Sequence, residues 1–117
     1  MGQFRFVAWL LLWYIQKDVV EFDWDDGNAS KSVTKHGIEI HEVESVFELR
    51  LGAPMGEQVS PLVHEERLCL VGPSQRGRLI SVVFALRDGK VRPISSRKAN
   101  RKERLKYEEI RKVIEGI

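Results

Sequence analysis

Residues that could act on a charged substrate are concentrated near the C-terminus of this 117-residue sequence, in GKVRPISSRKANRKERLKYEE, from Gly89 to Glu109. Residues 76–117 hold 13 Lys/Arg and 5 Asp/Glu, whereas residues 1–75 hold 6 and 12. Because clustered cations attract polyanions, the basic part is the expected face for a nucleic acid or an acidic protein. A charged helix that is merely solvated is the alternative.

The sequence offers little for thiol or metal chemistry. Its one cysteine, Cys69, lies in an apolar run, so a buried, inert thiol is expected. A chain that cannot form an internal disulfide is typical of a reducing compartment such as the cytoplasm. The three histidines are scattered and no CxxC pair is present, so we expect no metal ion and no other cofactor.

The length is that of one domain, preceded by an apolar run, FRFVAWLLLWYI, from Phe4 to Ile15. This run is shorter than the roughly 20 residues of a membrane-spanning helix, and no signal-peptide cleavage site follows it. It could form an additional packed helix. We expect instead that residues 1–19 are an extension, that residues 20–117 are the domain, and that no membrane is bound.

Short elements are predicted in the first half of the domain. Residues 19–24 are rich in β-branched and aromatic side chains and predict a strand. One of the two aspartates that follow provides the N-cap of a helix that runs to His36 and ends at Gly37. Apolar residues at helical spacing predict a second helix over residues 39–49. Residues 51–63, rich in glycine and proline, predict a loop with at most one short extended piece.

Three strands and a helix are predicted after residue 64, at residues 65–72, 78–86, 90–96 and 99–115. Asp88-Gly89 is a hairpin signal between the last two strands. Pro93 has no N–H, so the last strand should lie at a sheet edge or carry a bulge. Asn100 and Glu103 have the spacing of a capping box. The order β-α-α-β-β-β-α predicts an α+β fold, a small, mainly antiparallel sheet with helices packed on it.

Three segments carry distinctive motifs: EFDWDDGNASKSVTKHGI at residues 21–38, EERLCLVG at 65–72 and GKVRPISSRKANRKERLKYEE at 89–109. Together they resemble the BrnT toxin family. They are similar to the family's strand ending in Trp-Asp, its helix closing with Lys-His-Gly, its Glu-Arg strand, and its I-R-x-I-S-A-R-x-A strand with an E-R-x-x-Y helix. Pro93 stands where an aliphatic residue is usual and Ser96 where alanine is usual. Residues 1–20 lie outside the pattern.

This resemblance implies a toxin of a type II toxin–antitoxin system with a RelE-like, microbial-ribonuclease-like fold. Such toxins cleave RNA and inhibit translation. The implied partner is a BrnA-like antitoxin with a ribbon-helix-helix DNA-binding part, and operator DNA would be bound only through the antitoxin.

Metal-independent RNA cleavage needs a base for the 2′-hydroxyl, cations for the pentacoordinate phosphorane and an acid for the 5′-oxygen. The candidate catalytic residues are Arg67, Arg97, Glu66 and His36. The candidate substrate-binding residues are Lys31, Lys35, Arg92, Arg101 and Tyr107. We expect the strand arginines to share one sheet face and to act on the cleavage rate, whereas the cations of the last helix would mainly bind RNA or the antitoxin.

Some of these candidates have plainer interpretations. Glu66 and Arg67 are adjacent, so in a strand they point to opposite faces and cannot easily serve one site. His36 could pack or cap at a helix end, and Tyr107 lies on the face with which the last helix docks. A nucleic-acid-binding module without catalysis is one alternative function. The other is a protein-interaction domain whose basic helix binds an acidic partner.

Overall fold

The computed structural model describes residues 20–29, 37–58 and 67–116. Several predicted features lie outside these ranges. They are the extension at residues 1–19, most of the helix predicted to end at Gly37, and the candidate site residues Lys31, Lys35, His36 and Glu66.

The described residues form an α+β fold, as predicted. The helices are α1 (Asp26–Ala29), α2 (Ile40–Glu48) and α3 (Arg101–Glu115). The strands are β1 (Ala53–Gln58), β2 (Arg67–Pro73), β3 (Leu79–Arg87) and β4 (Lys90–Lys98). The strands form one sheet in the order β1-β2-β3-β4, and each neighbouring pair is antiparallel. No helix within these ranges has the length and apolar character needed to cross a bilayer.

Strand β1 lies in the segment predicted to be mainly a loop. Pro54 pairs with Leu70 of β2, and the register shifts between Pro54 and Glu57. An edge strand tolerates a proline and an irregular register because only one of its sides is hydrogen-bonded to the sheet. The glycines and prolines of this segment therefore mark an irregular edge strand. This six-residue strand is the short extended piece that the prediction allowed, although the predicted strand order did not include it.

The strand predicted at residues 19–24 is reduced to a single bridge in the described part of the chain. Phe22 forms an isolated parallel bridge with Val91 of β4. Two backbone hydrogen bonds make it, from Val91 N–H to the Glu21 carbonyl and from Asp23 N–H to the Val91 carbonyl, both 2.9 Å. Residues 21–23 therefore cover part of the outer edge of β4.

The hydrophobic core lies between α2 and one face of the sheet. Helix α2 and the residue preceding its cap contribute Val43, Val46, Phe47 and Ile38, all fully buried. The sheet contributes alternate residues of three strands: Leu68, Leu70, Ile80, Val82, Phe84 and Val91. The Phe47 and Phe84 rings meet edge to face, with centroids 5.0 Å apart. The apolar residues at helical spacing in α2 thus form the predicted packing face.

Strands β3 and β4 form the predicted hairpin, and Pro93 has both predicted consequences. Asp88 and Gly89 have φ angles of 51° and 77°, the left-handed conformation of a two-residue hairpin turn. Strand β4 is an edge strand of the sheet. Its register shifts beside Pro93, since Phe84 pairs with Pro93 while Val83 pairs with Ser95, which leaves Ile94 as the extra residue of a bulge.

A buried carboxylate ties α2 to the turn between β2 and β3. Glu42 has no exposed surface and accepts hydrogen bonds from Arg78 Nε at 2.6 Å and from Ser74 Oγ at 2.7 Å. Hydrogen bonds from Arg78 lower the pKa of Glu42, and their effect exceeds the rise that burial causes. The carboxylate is therefore ionised and paired at neutral pH.

We expect Glu42→Gln to lower the melting temperature at pH 7 by roughly 5 °C or more, because 1 kcal/mol corresponds to about 4–8 °C in a domain of this size. The folded-state pKa of Glu42 lies below the unfolded one, so its contribution is complete above about pH 4.3 and is lost as the pH falls through the folded pKa. The difference between wild type and variant should therefore shrink on acidification.

Thermal unfolding followed by circular dichroism between pH 3 and pH 7 measures this difference. Glu48→Gln is the control, since Glu48 is an exposed residue of the same helix. A difference between wild type and Glu42→Gln that stays constant over this range would contradict the assignment.

Candidate functional site

Helix α3 packs on the sheet face opposite α2, over β1 and β2. The Tyr107 hydroxyl donates a hydrogen bond to the Leu51 carbonyl at 2.9 Å, and burial raises the pKa of this phenol. None of the fifteen residues of α3 is fully buried. The helix is therefore held by partly buried side chains, and most of its cations face solvent.

The capping box predicted at the start of α3 is present. The Asn100 side chain accepts a hydrogen bond from Glu103 N–H at 2.8 Å, and Glu103 Oε1 accepts one from Asn100 N–H at 2.9 Å. Because Asn100 lies only two residues after the end of β4, this box also brings the Glu103 carboxylate back to the end of that strand.

Glu103 binds Arg97 of β4 through both carboxylate oxygens. Arg97 Nη1 donates to Oε1 at 2.7 Å and Nη2 donates to Oε2 at 3.0 Å. Ser81 Oγ of β3 donates to Oε2 at 3.1 Å. Burial raises the pKa of Glu103, but the hydrogen bonds from Arg97 and from Asn100 N–H outweigh it and hold the pKa below its usual value. The carboxylate is therefore an anchor in its ionised form.

Arg97 keeps hydrogen-bonding capacity beyond this pair. Its side chain is 44% exposed, and Nη1 also donates to the Lys98 carbonyl at 3.2 Å. A guanidinium carries five N–H donors. Its Nε–H and the second hydrogen of Nη2 have no partner in the part of the chain that the structure describes. Those two donors form one edge of the guanidinium, which can bind a phosphate bidentately.

A cavity of about 200 Å³ lies beside this pair, between α3 and the sheet. Its lining consists of Met55, Cys69, Lys102, Glu103 and Lys106. The two lysines lie one helical turn apart, so both side chains border the same space. Cys69 is buried, as predicted, and burial raises the pKa of its thiol. The cavity therefore offers positive charge without a reactive thiolate.

The bulge in β4 places Arg92 and Arg97 on the same side of the sheet. Residues five apart in a regular strand face opposite sides. Here Arg92 pairs with Ala85 and Arg97 pairs with Ser81, and those partners are four residues apart in β3. The expectation that these two arginines share a face is therefore correct.

Arg92 is nevertheless paired with two carboxylates of the N-terminal segment. It forms ion pairs with Asp25 at 3.0 Å and with Asp23 at 3.5 Å, and only 16% of its side chain is exposed. The buried Asn28 side chain holds the same segment, since Nδ2 donates to the carbonyls of Asp23 and Pro93 at 3.0 and 2.8 Å. Arg92 fastens the N-terminal segment to β4, and its charge is compensated.

Arg67 shares the face of Arg97 but lies far from it. Strand alternation puts Arg67 opposite to Leu68 and therefore on the side of Cys69. Val71 pairs with Ser81, and Ser81 pairs with Arg97. Val71 is therefore level with Arg97, two strands away, and Arg67 lies four residues from Val71 along β2. These offsets separate the Cα atoms of the two arginines by about 13 Å along the strands and by about 10 Å across them. The structure does not bring the two together in one anion pocket.

The Nε atom of Arg67 is buried without a hydrogen-bond partner in the described part of the chain. Arg101, the first residue of α3, is exposed. Sequence reasoning placed Glu103 only in the capping box, and it gave Ser81 no role. It named the cations of α3 only as a general binding region. The i, i+4 spacing of Lys102 and Lys106 next to the capping box was the available indication of a shared face.

No group of three or more His, Cys, Asp or Glu within the described ranges could hold a metal ion. On this face Arg97 has a guanidinium edge without a partner among the described residues, and its carboxylate partner Glu103 lines a cavity together with Lys102 and Lys106. Guanidinium and ammonium groups are the side-chain groups that bind phosphate.

Comparisons with known proteins bear on the same region. A family model described as "Ribonuclease toxin, BrnT, of type II toxin-antitoxin system" matches residues 24–103. The crystal structure of the Brucella abortus ribonuclease toxin BrnT is similar, with 21% identity, coverage of 71% of this chain and 100% of that one, and a TM-score of 0.47. No curated protein matches the sequence. Because the matched residues make up more than half of the chain, this protein belongs to the BrnT family of ribonuclease toxins of type II toxin–antitoxin systems.

Proposed function

We propose that this protein is a metal-independent endoribonuclease that inhibits translation by cutting RNA. The observation that carries the proposal is the guanidinium edge of Arg97 that has no partner among the described residues. Its carboxylate partner, Glu103, also lines the cavity that Lys102 and Lys106 border. Membership of a family of ribonuclease toxins supports it.

In the proposed reaction the 2′-hydroxyl of the RNA attacks the adjacent phosphorus and the 5′-oxygen leaves. Negative charge develops on the non-bridging oxygens of the phosphorane, and the free edge of Arg97 can donate two hydrogen bonds to them. Lys102 and Lys106 would hold neighbouring phosphates. Glu66 and His36 remain our candidates for the base and the acid. Arg67, on the same face, would bind the RNA farther along its backbone.

The partner we propose is a BrnA-like antitoxin with a ribbon-helix-helix part, through which the complex would bind operator DNA. A type II toxin implies an antitoxin. The exposed cations of α3 give such a partner a basic surface, which an acidic segment of the antitoxin could cover.

A nucleic-acid-binding module without catalysis is the second candidate, and the state of Glu103 favours it. This carboxylate accepts four hydrogen bonds, from two Arg97 nitrogens, from Asn100 N–H and from Ser81 Oγ. A carboxylate has about four acceptor sites, so none is left to take a proton. Binding of RNA by the wild type without any cleavage would support this candidate.

We expect Arg97→Ala to lower the RNA cleavage rate by about 10²–10³-fold, the usual loss when one donor to a developing oxyanion is removed. The measurement is single-turnover cleavage of an end-labelled RNA in the presence of EDTA, with the full-length protein at saturating concentration. Arg67→Ala should instead raise the protein concentration needed for saturation, because Arg67 would bind the RNA farther along its backbone.

Arg76→Ala is the control for this experiment. Arg76 is 59% exposed and its nearest carboxylate is Glu42, on the α2 side of the sheet, so its loss should leave the rate unchanged. Equal rates for wild type and Arg97→Ala would contradict the proposal, and so would equal losses from Arg97→Ala and Arg76→Ala.

The double variant Lys102→Ala/Lys106→Ala should weaken RNA binding and reduce its salt dependence. Each phosphate contact to a single strand contributes about −0.7 to the slope of log K against log salt, so the slope should become smaller in magnitude by about 1.4. Fluorescence anisotropy with an RNA that carries a 2′-O-methyl group at each position measures binding without cleavage.

Lys112→Ala, an exposed cation near the other end of α3, is the control for these lysines. It should change the slope by much less than the double variant. If Lys112→Ala changed the slope as much per lysine, the cavity would have no special role in binding RNA.

A further inference from the structure

We propose that Glu103 is a positioning residue of the site, which fixes the guanidinium of Arg97 so that one edge of it faces the substrate phosphate. This inference rests on the proposed ribonuclease function. It assigns Glu103 a task distinct from proton transfer and distinct from its capping of α3.

The guanidinium of Arg97 has one edge that is available to a phosphate. Glu103 occupies the edge formed by Nη1 and Nη2, and the Lys98 carbonyl accepts the remaining hydrogen of Nη1. Three of the five N–H groups are thereby directed to protein oxygens. The two N–H groups without a partner among the described residues lie side by side, on Nε and Nη2, which is the arrangement that binds two oxygens of one phosphate. The other N–H groups are thus paired with protein oxygens, and this edge is the one that can bind an anion.

Glu103 is itself held in one position by hydrogen bonds. Its Oε2 is held by Ser81 of the neighbouring strand, and its Oε1 is held by the backbone of Asn100. Only 18% of the Glu103 side chain is exposed, against 44% for Arg97. A half-exposed arginine with several rotatable bonds would otherwise sample many orientations. The anchored carboxylate removes that freedom before the substrate arrives, which is how a protein supplies orientation to a reaction.

Two substitutions separate the pairing of Glu103 with Arg97 from its role in the capping box of α3. In Glu103→Gln the amide oxygen can still accept from Asn100 N–H, and glutamine is accepted at this position of a capping box. Its amide nitrogen is a donor and cannot accept from Arg97, so the bidentate pair is lost. Asn100→Ala has the opposite effect, because it removes the side-chain cap from Glu103 N–H and leaves the carboxylate on Arg97.

We therefore expect Glu103→Gln to lower kcat for RNA cleavage by about 10–100-fold, the cost of a misplaced group, while KM changes by less than about threefold. Asn100→Ala should lower the melting temperature and leave kcat within about twofold of wild type. A kcat for Glu103→Gln that equals that of wild type would overturn the proposal. So would a loss of kcat in Asn100→Ala as large as that in Glu103→Gln, since capping alone would then explain both.

A second measurement does not depend on activity. In the nitrogen NMR spectrum of the full-length protein, with the signals of Arg97 assigned from Arg97→Lys, Nη1 and Nη2 should be separate, because the pair prevents rotation about the Cζ–Nε bond. They should merge in Glu103→Gln and stay separate in Asn100→Ala. Merged signals in the wild type would overturn the positioning role.

The two results also distinguish this proposal from the function on which it rests. Absence of RNA cleavage by the wild type, together with separate Nη signals that merge in Glu103→Gln, would refute the ribonuclease function and keep Glu103 as the anchor of Arg97. Cleavage by the wild type with a rate that Glu103→Gln does not change would keep the function and refute the anchor.

Discussion

One extra residue in β4 decides on which side of the sheet the arginine of the candidate site lies. Without the bulge at Ile94, residues 92 and 97 would face opposite sides, and Arg97 could be on the α3 side only if Arg92 were in the core. Pro93 sits at the point where this register shift occurs, on an edge strand where a missing N–H is tolerated. The rest of the site depends on this, because Glu103 can reach Arg97 only on that side.

The two faces of the sheet have different chemistry. The α2 face is mainly apolar, and the one buried carboxylate among the described residues, Glu42, is paired with Arg78 and Ser74. The α3 face carries smaller buried apolar residues, among them Cys69, Val71 and Ala85, together with polar pairs such as Arg97–Glu103, and none of the residues of its helix is fully buried. An ordered core on one side can hold a strand end and a helix start in fixed positions on the other. The α3 side is then free to expose cations, which a nucleic acid or an antitoxin can bind.

The parts of the fold that could be predicted from sequence are those set by local chemistry. The Asp88-Gly89 turn, the Asn100–Glu103 capping box and the edge position of Pro93 each depend on a few neighbouring residues. Strand β1 was predicted only as a possible short extended piece, because its pairing with β2 is a long-range contact that overrides the local preference of glycine and proline. The commitment of Arg92 to Asp23 and Asp25 could not be predicted for the same reason, since about seventy residues separate the partners.

In the candidate site, too, the features set by local sequence could be predicted and those set by long-range contacts could not. The cationic character of the region follows from composition, and the shared face of Arg92 and Arg97 was expected. The role of Glu103 as the anchor of Arg97 was not, because it depends on where β4 ends relative to α3 and on Ser81 from a third element. Four candidate residues, Lys31, Lys35, His36 and Glu66, lie outside the described ranges and stay predictions.

The most direct test of the central claim is the chemistry of the RNA ends that the protein produces in EDTA. Attack by the 2′-hydroxyl, with the developing charge stabilised by Arg97, predicts fragments with a 2′,3′-cyclic phosphate and a 5′-hydroxyl, which mass spectrometry identifies. Fragments with a 3′-hydroxyl and a 5′-phosphate, or cleavage that occurs only when a divalent cation is added, would contradict this account.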